Sequence, residues 1–429
     1  MKLVLRAALA VSTSAIALSG YLGGAQAGGF INGSQSSVFN GTSYAGFSAP
    51  GSSSAATMFM NPATMTGFKN FTLDSNYTFG APDTRMTGTT NAGLLGRSGT
   101  SGDVGMDYFV PATYIIYPMN DRLFLGLSVN TTYGNTTKPS NCGAGGWIGC
   151  FGAATSKLRI TTVTPSVAYK INEMWSVGAG IQVQYASARQ YLYLPPAGAA
   201  TAGITKADGW GVGFTAGLTF TPTKTTQIGL GWRSGIDQNI EGTTVFGAAT
   251  ATNSKGTLNL PNRVNLSLRQ TLTQKFDLLA SVEWQNWGRI GHAALKNPAN
   301  AALAVLPFGY SDGWMFALGG EYKVNDKLTL RAGTAYEISP IKDSVRRLSL
   351  PDSDRFWASA GLTYDVSERF AINASYAYVH MKKAPITQAL GGGLVFTGEV
   401  KNHVHLVSLG LTSKWGAPPK KEDAIVKKF

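Results

Sequence analysis

Four histidines, two cysteines and a scatter of charged residues are what this chain offers for chemistry. His403-Val404-His405 sets two imidazoles on one face of an extended segment, a spacing that suits a metal. No Cys or carboxylate stands beside the pair in sequence, so a pair near the outer rim of a strand is the preferred reading and no metal site is expected. There is no G-x-S-x-G elbow, no H-E-x-x-H and no phosphate loop, so no catalytic residue and no cofactor are expected, and the chain does not read as an enzyme. Cys142 and Cys150 flank a Gly-rich stretch that includes Trp147. In an exported chain an even pair reads as a loop disulfide, with two free thiols as the alternative.

What the charges can do depends on the elements that carry them. Trp175, Val177, Ala179, Ile181, Val183 and Tyr185 alternate with Ser176, Gly178, Gly180, Gln182 and Gln184. This period of two marks a strand with one apolar and one polar face. Val212 to Phe220, Phe356 to Tyr364 and Phe370 to Tyr378 repeat it, with aromatics gathered at the strand ends. Fourteen such segments can be counted, from 71–80 to 401–415. Short turns such as Pro118–Asp121 and Asp365–Glu368 alternate with longer connections, among them 81–106, 134–157 and 381–400. An even number of strands with short turns on one side and long loops on the other predicts an all-β fold, a 14-stranded antiparallel transmembrane β-barrel of the outer membrane. Pro111 and Pro165 fall inside the second and fourth strands and imply bulges or kinks there.

The ends read differently. Lys2 and Arg6, the apolar run Ala7–Leu18 and Ala25-Gln26-Ala27 make residues 1–27 a signal peptide. Residues 416–429, with Pro418-Pro419, read as a polar periplasmic tail after a barrel spanning 71–415. Of the formal charge of +13, the leader carries two and the tail a net two, leaving nine on the body. No basic-aromatic stripe or recognition helix accompanies them, so nucleic acid is not expected. Anionic outer-membrane lipid, lipopolysaccharide included, or an anionic substrate suits the charge better.

With the apolar face outward, Arg233, Arg263, Arg269, Glu283, Glu321, Lys323, Arg331 and Glu337 face the lumen. They pair with one another, with water or with whatever fills the barrel, or one arginine receives an anionic head group. Residues 28–70, rich in Ser and Gly and neither clean strand nor long helix, read as an N-terminal plug inside the barrel, where lumen groups satisfy an irregular backbone. Within it Asn61-Pro62-Ala63 is the expected gate. Asn61 is biased to extended geometry by the following proline, and its amide is available to bridge plug and wall. Phe30 is an apolar residue in a polar segment whose burial site is the ligand pocket. The plainer alternative is that Asn61-Pro62-Ala63 only turns the chain into the barrel.

Several of these segments together resemble the outer-membrane long-chain fatty-acid transporter family, which also includes aromatic-hydrocarbon transporters. Gly29-Phe30, Ser36-Ser37, Gly41 to Gly46 and Asn61-Pro62-Ala63 resemble the family's plug. Trp284-Gln285-Asn286-Trp287 is similar to its Trp-x-x-Trp strand, and Pro351-Asp352-Ser353-Asp354-Arg355-Phe356-Trp357 to its Pro-Asp-x-Asp-Arg-aromatic-Trp stretch. The resemblance implies a monomeric plugged barrel that takes up hydrophobic small molecules passively, with release through a lateral opening at a kinked strand. Phe308 to Gly313 departs from it, lacking the lysine and first acidic residue that fatty-acid members carry there, which leaves the head-group contact open. A general diffusion porin is the alternative reading.

Overall fold

In the computed structural model, residues 29–139, 142, 145–152, 155–193, 202–246, 251–299 and 301–416 are described. The expected signal peptide and nearly all of the expected tail lie outside them. The wall consists of β1 (Phe71–Thr90), β2 (Tyr108–Pro118), β3 (Leu123–Thr137), β4 (Thr155–Lys170), β5 (Trp175–Tyr193), β6 (Ala202–Phe220), β7 (Thr226–Arg233), β8 (Arg263–Thr271), β9 (Phe276–Gln285), β10 (Gly313–Lys323), β11 (Leu328–Ile338), β12 (Arg355–Asp365), β13 (Phe370–Gly391) and β14 (Leu394–Trp415). Each pairs antiparallel with its neighbours, and β1 pairs with β14 from Phe71↔Trp415 to Thr90↔Phe396, which closes a 14-stranded barrel. No helix among the described residues is long and apolar enough to cross a membrane; the crossing is made by strands.

The alternation that predicts the strands also sorts their faces. On β10, Trp314, Phe316, Leu318 and Tyr322 lie on the outer surface while Ala317 and Glu321 are buried inside. Stacked Trp175 and Phe220 near the short turns, and the Tyr185–Trp210 pair higher up, sit on aromatic girdles. The ten residue steps from Trp175 to Tyr185 span about 33 Å of strand, or roughly 25 Å of height once tilted, matching the apolar band of a membrane barrel.

Two expectations need correction. Several of the connections read as long loops contain strand that continues above the membrane, as 81–90 does at the top of β1. The 381–400 stretch is the top of the β13–β14 hairpin, turning at Gly391, Gly392 and Gly393, all with positive φ. Its alternation is masked by a register shift between Met381 and Ala384, which places Lys382 and Lys383 out of phase. Nor is there a bulge at either proline. Pro111 pairs in register with Tyr77, and β2–β3 pairing begins only at Ala112↔Asn130, so the missing N–H falls where no ladder bond is needed. Pro165 leaves two positions of the β4–β5 ladder unpaired without shifting its register. The bulge lies at Thr132, between Thr131↔Thr161 and Tyr133↔Ile160.

Candidate functional site

Residues 29–70 run inside the barrel, through one helical turn (Ser37–Asn40) and two 3-10 turns (Ala55–Phe59 and Pro62–Gly67). Polar side chains tie them to the wall nearly all the way round. Ser37 bonds Asn76 on β1, Asn40 donates to Ser375 and Ser408 on β13 and β14, and Ser43 pairs with Ser359 on β12. Gly46 and Ser48 donate backbone N–H groups to Ser281 on β9 and Ser267 on β8, and Thr66 meets Ser176 on β5. The wall makes room with inward glycines. A Cβ on Gly217 would stand 1.9 Å from Asn61 Oδ1, and one on Gly333 2.2 Å from Thr42 O. Ser43 and Tyr44 hold φ values of 50° and 66°, a conformation that costs about 1–3 kcal/mol each. The Tyr44 hydroxyl, which accepts from Gln35 N, and ring contacts with Phe47 and Trp357 fix it there.

Asn61 caps the second 3-10 turn: Oδ1 accepts from Ala63 N at 3.0 Å. Its Nδ2 donates to Ser48 O at 2.8 Å and to Leu218 O on β6 at 3.0 Å. Pro62 occupies the first position of that turn, where a missing N–H costs nothing. Asn61, Pro62 and Ala63 are all fully buried.

Phe30, at the other end of the segment, is 3% exposed. Its ring lies 4.7 Å from Trp287 and 6.0 Å from Tyr133. It lines an apolar cavity of about 170 Å³ on the extracellular side, walled by Leu158, Ala186, Ile240, Leu258 and Phe308. Tyr310 also lines it, and burial raises the pKa of its phenol, so the hydroxyl stays neutral. A cavity of ~150 Å³ with an apolar lining is enough for a benzene. This one is therefore large enough for a monoaromatic molecule or a short length of alkyl chain.

Beside the cavity the wall is incomplete. Above Ala112↔Asn130, β2 and β3 no longer pair until Gly105↔Thr137 and the Lys138 N to Val104 O bond close the gap. About 20 Å of the β3 edge, counted at roughly 3.3 Å per residue, is left without its neighbour. The N-terminal segment stands in for it: Ile31 bridges Tyr133, Asn32 N donates to Thr132 O, and Gly134 N donates to Phe30 O. The Asn32 and Gln35 side chains donate to Thr131 O. The bulge at Thr132 falls within this patch.

The lumen charges are buried, apart from Lys323, which is exposed on the short-turn side. Arg263 pairs with Glu283 at 2.8 Å, while Arg269 and Arg331 share Glu321 at 2.6 and 2.5 Å. Arg355 meets Glu337 and Asp352. Arg233 instead donates to Phe59 O and Gln182, with its guanidinium 4.1 Å from the Phe59 ring centroid. None of the four lumen arginines expected from the sequence, Arg233, Arg263, Arg269 and Arg331, lines the apolar cavity. Cys142 and Cys150 form a disulfide. His380, His403 and His405 lie on the outer wall among Tyr376 and Tyr378. No metal-binding cluster occurs among the described residues.

Sequence reasoning passed over Asp352, Arg355 and Trp287 as site residues. Asp352 accepts from Gly29 N at 3.1 Å and from the Ser339 hydroxyl, and also pairs with Arg355. Trp287, held by a bond from Nε1 to Gln285, backs Phe30. All three sit in motifs that carried the family resemblance, so the signal was present but had no partner to point at.

A closed membrane barrel, with a buried N-terminal segment inside and an apolar cavity above that segment, is the architecture of an outer-membrane transport protein. Residues 21–415 match the model of the outer membrane protein transport protein family (OMPP1/FadL/TodX), and the chain belongs to that family. It is 27% identical to the long-chain fatty acid transport protein of Escherichia coli K12, over 89% of this chain and 93% of that relative. It is 28% identical to outer membrane protein P1 of Haemophilus influenzae, over 84% and 88%. Among solved structures, a FadL homologue of Pseudomonas aeruginosa superposes with a TM-score of 0.82 at 23% identity, covering 90% of this chain and all of that one. The toluene transporter TodX of P. putida gives 0.68 at 15% identity, covering 90% and 99%.

Proposed function

We propose that this outer-membrane transport protein carries hydrophobic small molecules, long-chain fatty acids or aromatic and aliphatic hydrocarbons, passively and without covalent chemistry. In this reading residues 28–70 are the plug, Phe30 and Asn61-Pro62-Ala63 are its moving parts, and cargo leaves sideways through the gap between β2 and β3. One observation carries it: the Phe30 segment both floors the apolar cavity and patches the unpaired edge of β3. Each methylene buried in the cavity contributes about 0.8 kcal/mol, so affinity needs no head-group contact. A molecule seated there presses on the Phe30 ring, which Trp287 and Tyr133 back. Any shift of Phe30 drags Ile31 and Asn32 off β3, so filling the cavity opens its exit. Cavity, gap and plug all come from one chain, so a monomer in contact with outer-leaflet lipid, including lipopolysaccharide, is the proposed working unit.

A general diffusion porin needs an open polar lumen, whereas here the plug meets nearly every strand. The test is uptake of a radiolabelled hydrophobic substrate by cells bearing Phe30→Ala or Asn61→Ala, each checked for heat-modifiable folding and surface abundance. The expected result is normal assembly with an altered uptake rate. Wild-type rates in both variants would reduce Asn61-Pro62-Ala63 to a turn, and large steady ion-conducting openings in planar bilayers would favour the porin.

A further inference from the structure

The outer wall carries a groove of about 620 Å³ running up β4, β5 and β6. Its lower part is apolar, with Val163 paired in register with Val183 and Tyr185 packed against Trp210 at the upper girdle. Directly above, the composition changes. Arg159 lies one outward row above Thr161 and Tyr185, and the next row is Lys157, Arg189 and Lys206, side by side across three strands. Like charges placed directly opposite in a sheet repel, so such a row is destabilising on its own. Among the described residues none of these four cations forms an ion pair. The carboxylate in the row below, Asp208, accepts from the Tyr185 hydroxyl, and Arg189 lies over the ring of Tyr191.

We propose that this groove binds a phosphate-bearing, acylated lipid of the outer leaflet. The acyl chain lies along Val163, Val183 and Trp210, and the phosphate rests among Lys157, Arg159, Arg189 and Lys206. Height argues for a lipid over a free anion. Ser187 and Arg189 stand two and four residues beyond Tyr185, about 5–10 Å above the girdle, which is the headgroup level. Beneath the charges the groove is lined by Thr161, Val163, Val183, Tyr185 and Trp210. Arginine supplies paired donors that match a phosphate, and lysine adds point charge. Bound phosphate also removes the repulsion along the row. The inference deepens the lipid contact proposed above; Lys157 and Arg189 border both this groove and the inner cavity, whereas Arg159 borders the groove without the cavity.

The experiment measures binding of bisphosphorylated lipid A to the full-length protein in detergent, by native mass spectrometry. The comparison is with Lys157→Gln/Arg159→Gln/Arg189→Gln/Lys206→Gln and with the charge-keeping Lys157→Arg/Lys206→Arg, all checked for heat-modifiable folding. Each basic group near an anionic surface contributes enough that the loss of four weakens binding by about tenfold or more. The charge-keeping variant is expected to bind as wild type, and dephosphorylated lipid A to bind as weakly as the glutamine variant binds the bisphosphate. Undiminished binding by the glutamine variant would overturn the site. Displacement of lipid A by an equal concentration of inorganic phosphate would overturn the lipid assignment. The readout is lipid retained on purified protein, which a failure of the cargo reading leaves unchanged.

Discussion

Asp352 shows how one buried side chain ties distant parts of this protein together. Its carboxylate holds the backbone N–H of Gly29, accepts from Ser339 and pairs with Arg355, so the start of the plug is anchored to the rim of β12. The lumen pairs do similar work lower down. Arg263 and Glu283 are both buried, and Asn265 and Gln285 complete the hydrogen bonding of the carboxylate. Removing only one member leaves a lone buried charge, which costs about 3–5 kcal/mol. Arg263→Ala is therefore expected to lower the unfolding temperature of the detergent-solubilised barrel markedly. Arg263→Met with Glu283→Gln, which removes both charges, is expected to recover much of that loss. Equal losses for the single and double changes would show that the pair is not the relevant interaction. The inward direction of these residues was legible from period two alone. Their partners were not, because register between neighbouring strands sets which arginine meets which carboxylate.

At the scale of elements, the wall and the plug fit by backbone contact. Gly217 on β6 sits against Asn61, and Gly178 on β5 against Pro62 and Ala63. Gly217→Leu must displace the Asn61 side chain and with it the bonds to Ser48 and Leu218. It is expected to assemble but to show faster protease cleavage within residues 29–70, whereas Ala216→Leu, on the lipid-facing side of the same strand, is not. Protection equal to wild type in Gly217→Leu would mean that the plug does not depend on this seat. The alternation Gly178, Gly180, Gly213, Gly217 was readable as an inward face. That Gly178 and Gly217 are hollows for a plug was not, since a missing side chain carries no mark of what fills the space. The membrane-spanning strands were legible for a physical reason: lipid on one face and a polar lumen on the other force alternation. Above the membrane that asymmetry fades. Around the disulfide, Met86, Trp147, Ile386 and Phe396 form an apolar cluster of their own, so the upper strands of β1, β13 and β14 read as loop.

For the whole molecule, the account rests on one mechanical link. Cavity, plug and gap meet at Phe30, Ile31 and Asn32, and the proposed mechanism couples cargo in the first to the opening of the last. The measurement that tests this most directly is uptake by a protein in which the link is locked. Ile31 and Tyr133 are bridge partners on adjacent backbones, at the separation a disulfide spans. Ile31→Cys with Tyr133→Cys, folded and surface-exposed, is to be assayed with a radiolabelled hydrophobic substrate before and after mild reduction, with each single-cysteine variant alongside. The expected result is uptake at or near background in the oxidised double variant, recovering on reduction to the level of the single variants. Equal uptake in the oxidised and reduced states, with the cross-link verified by mass spectrometry, would contradict the account.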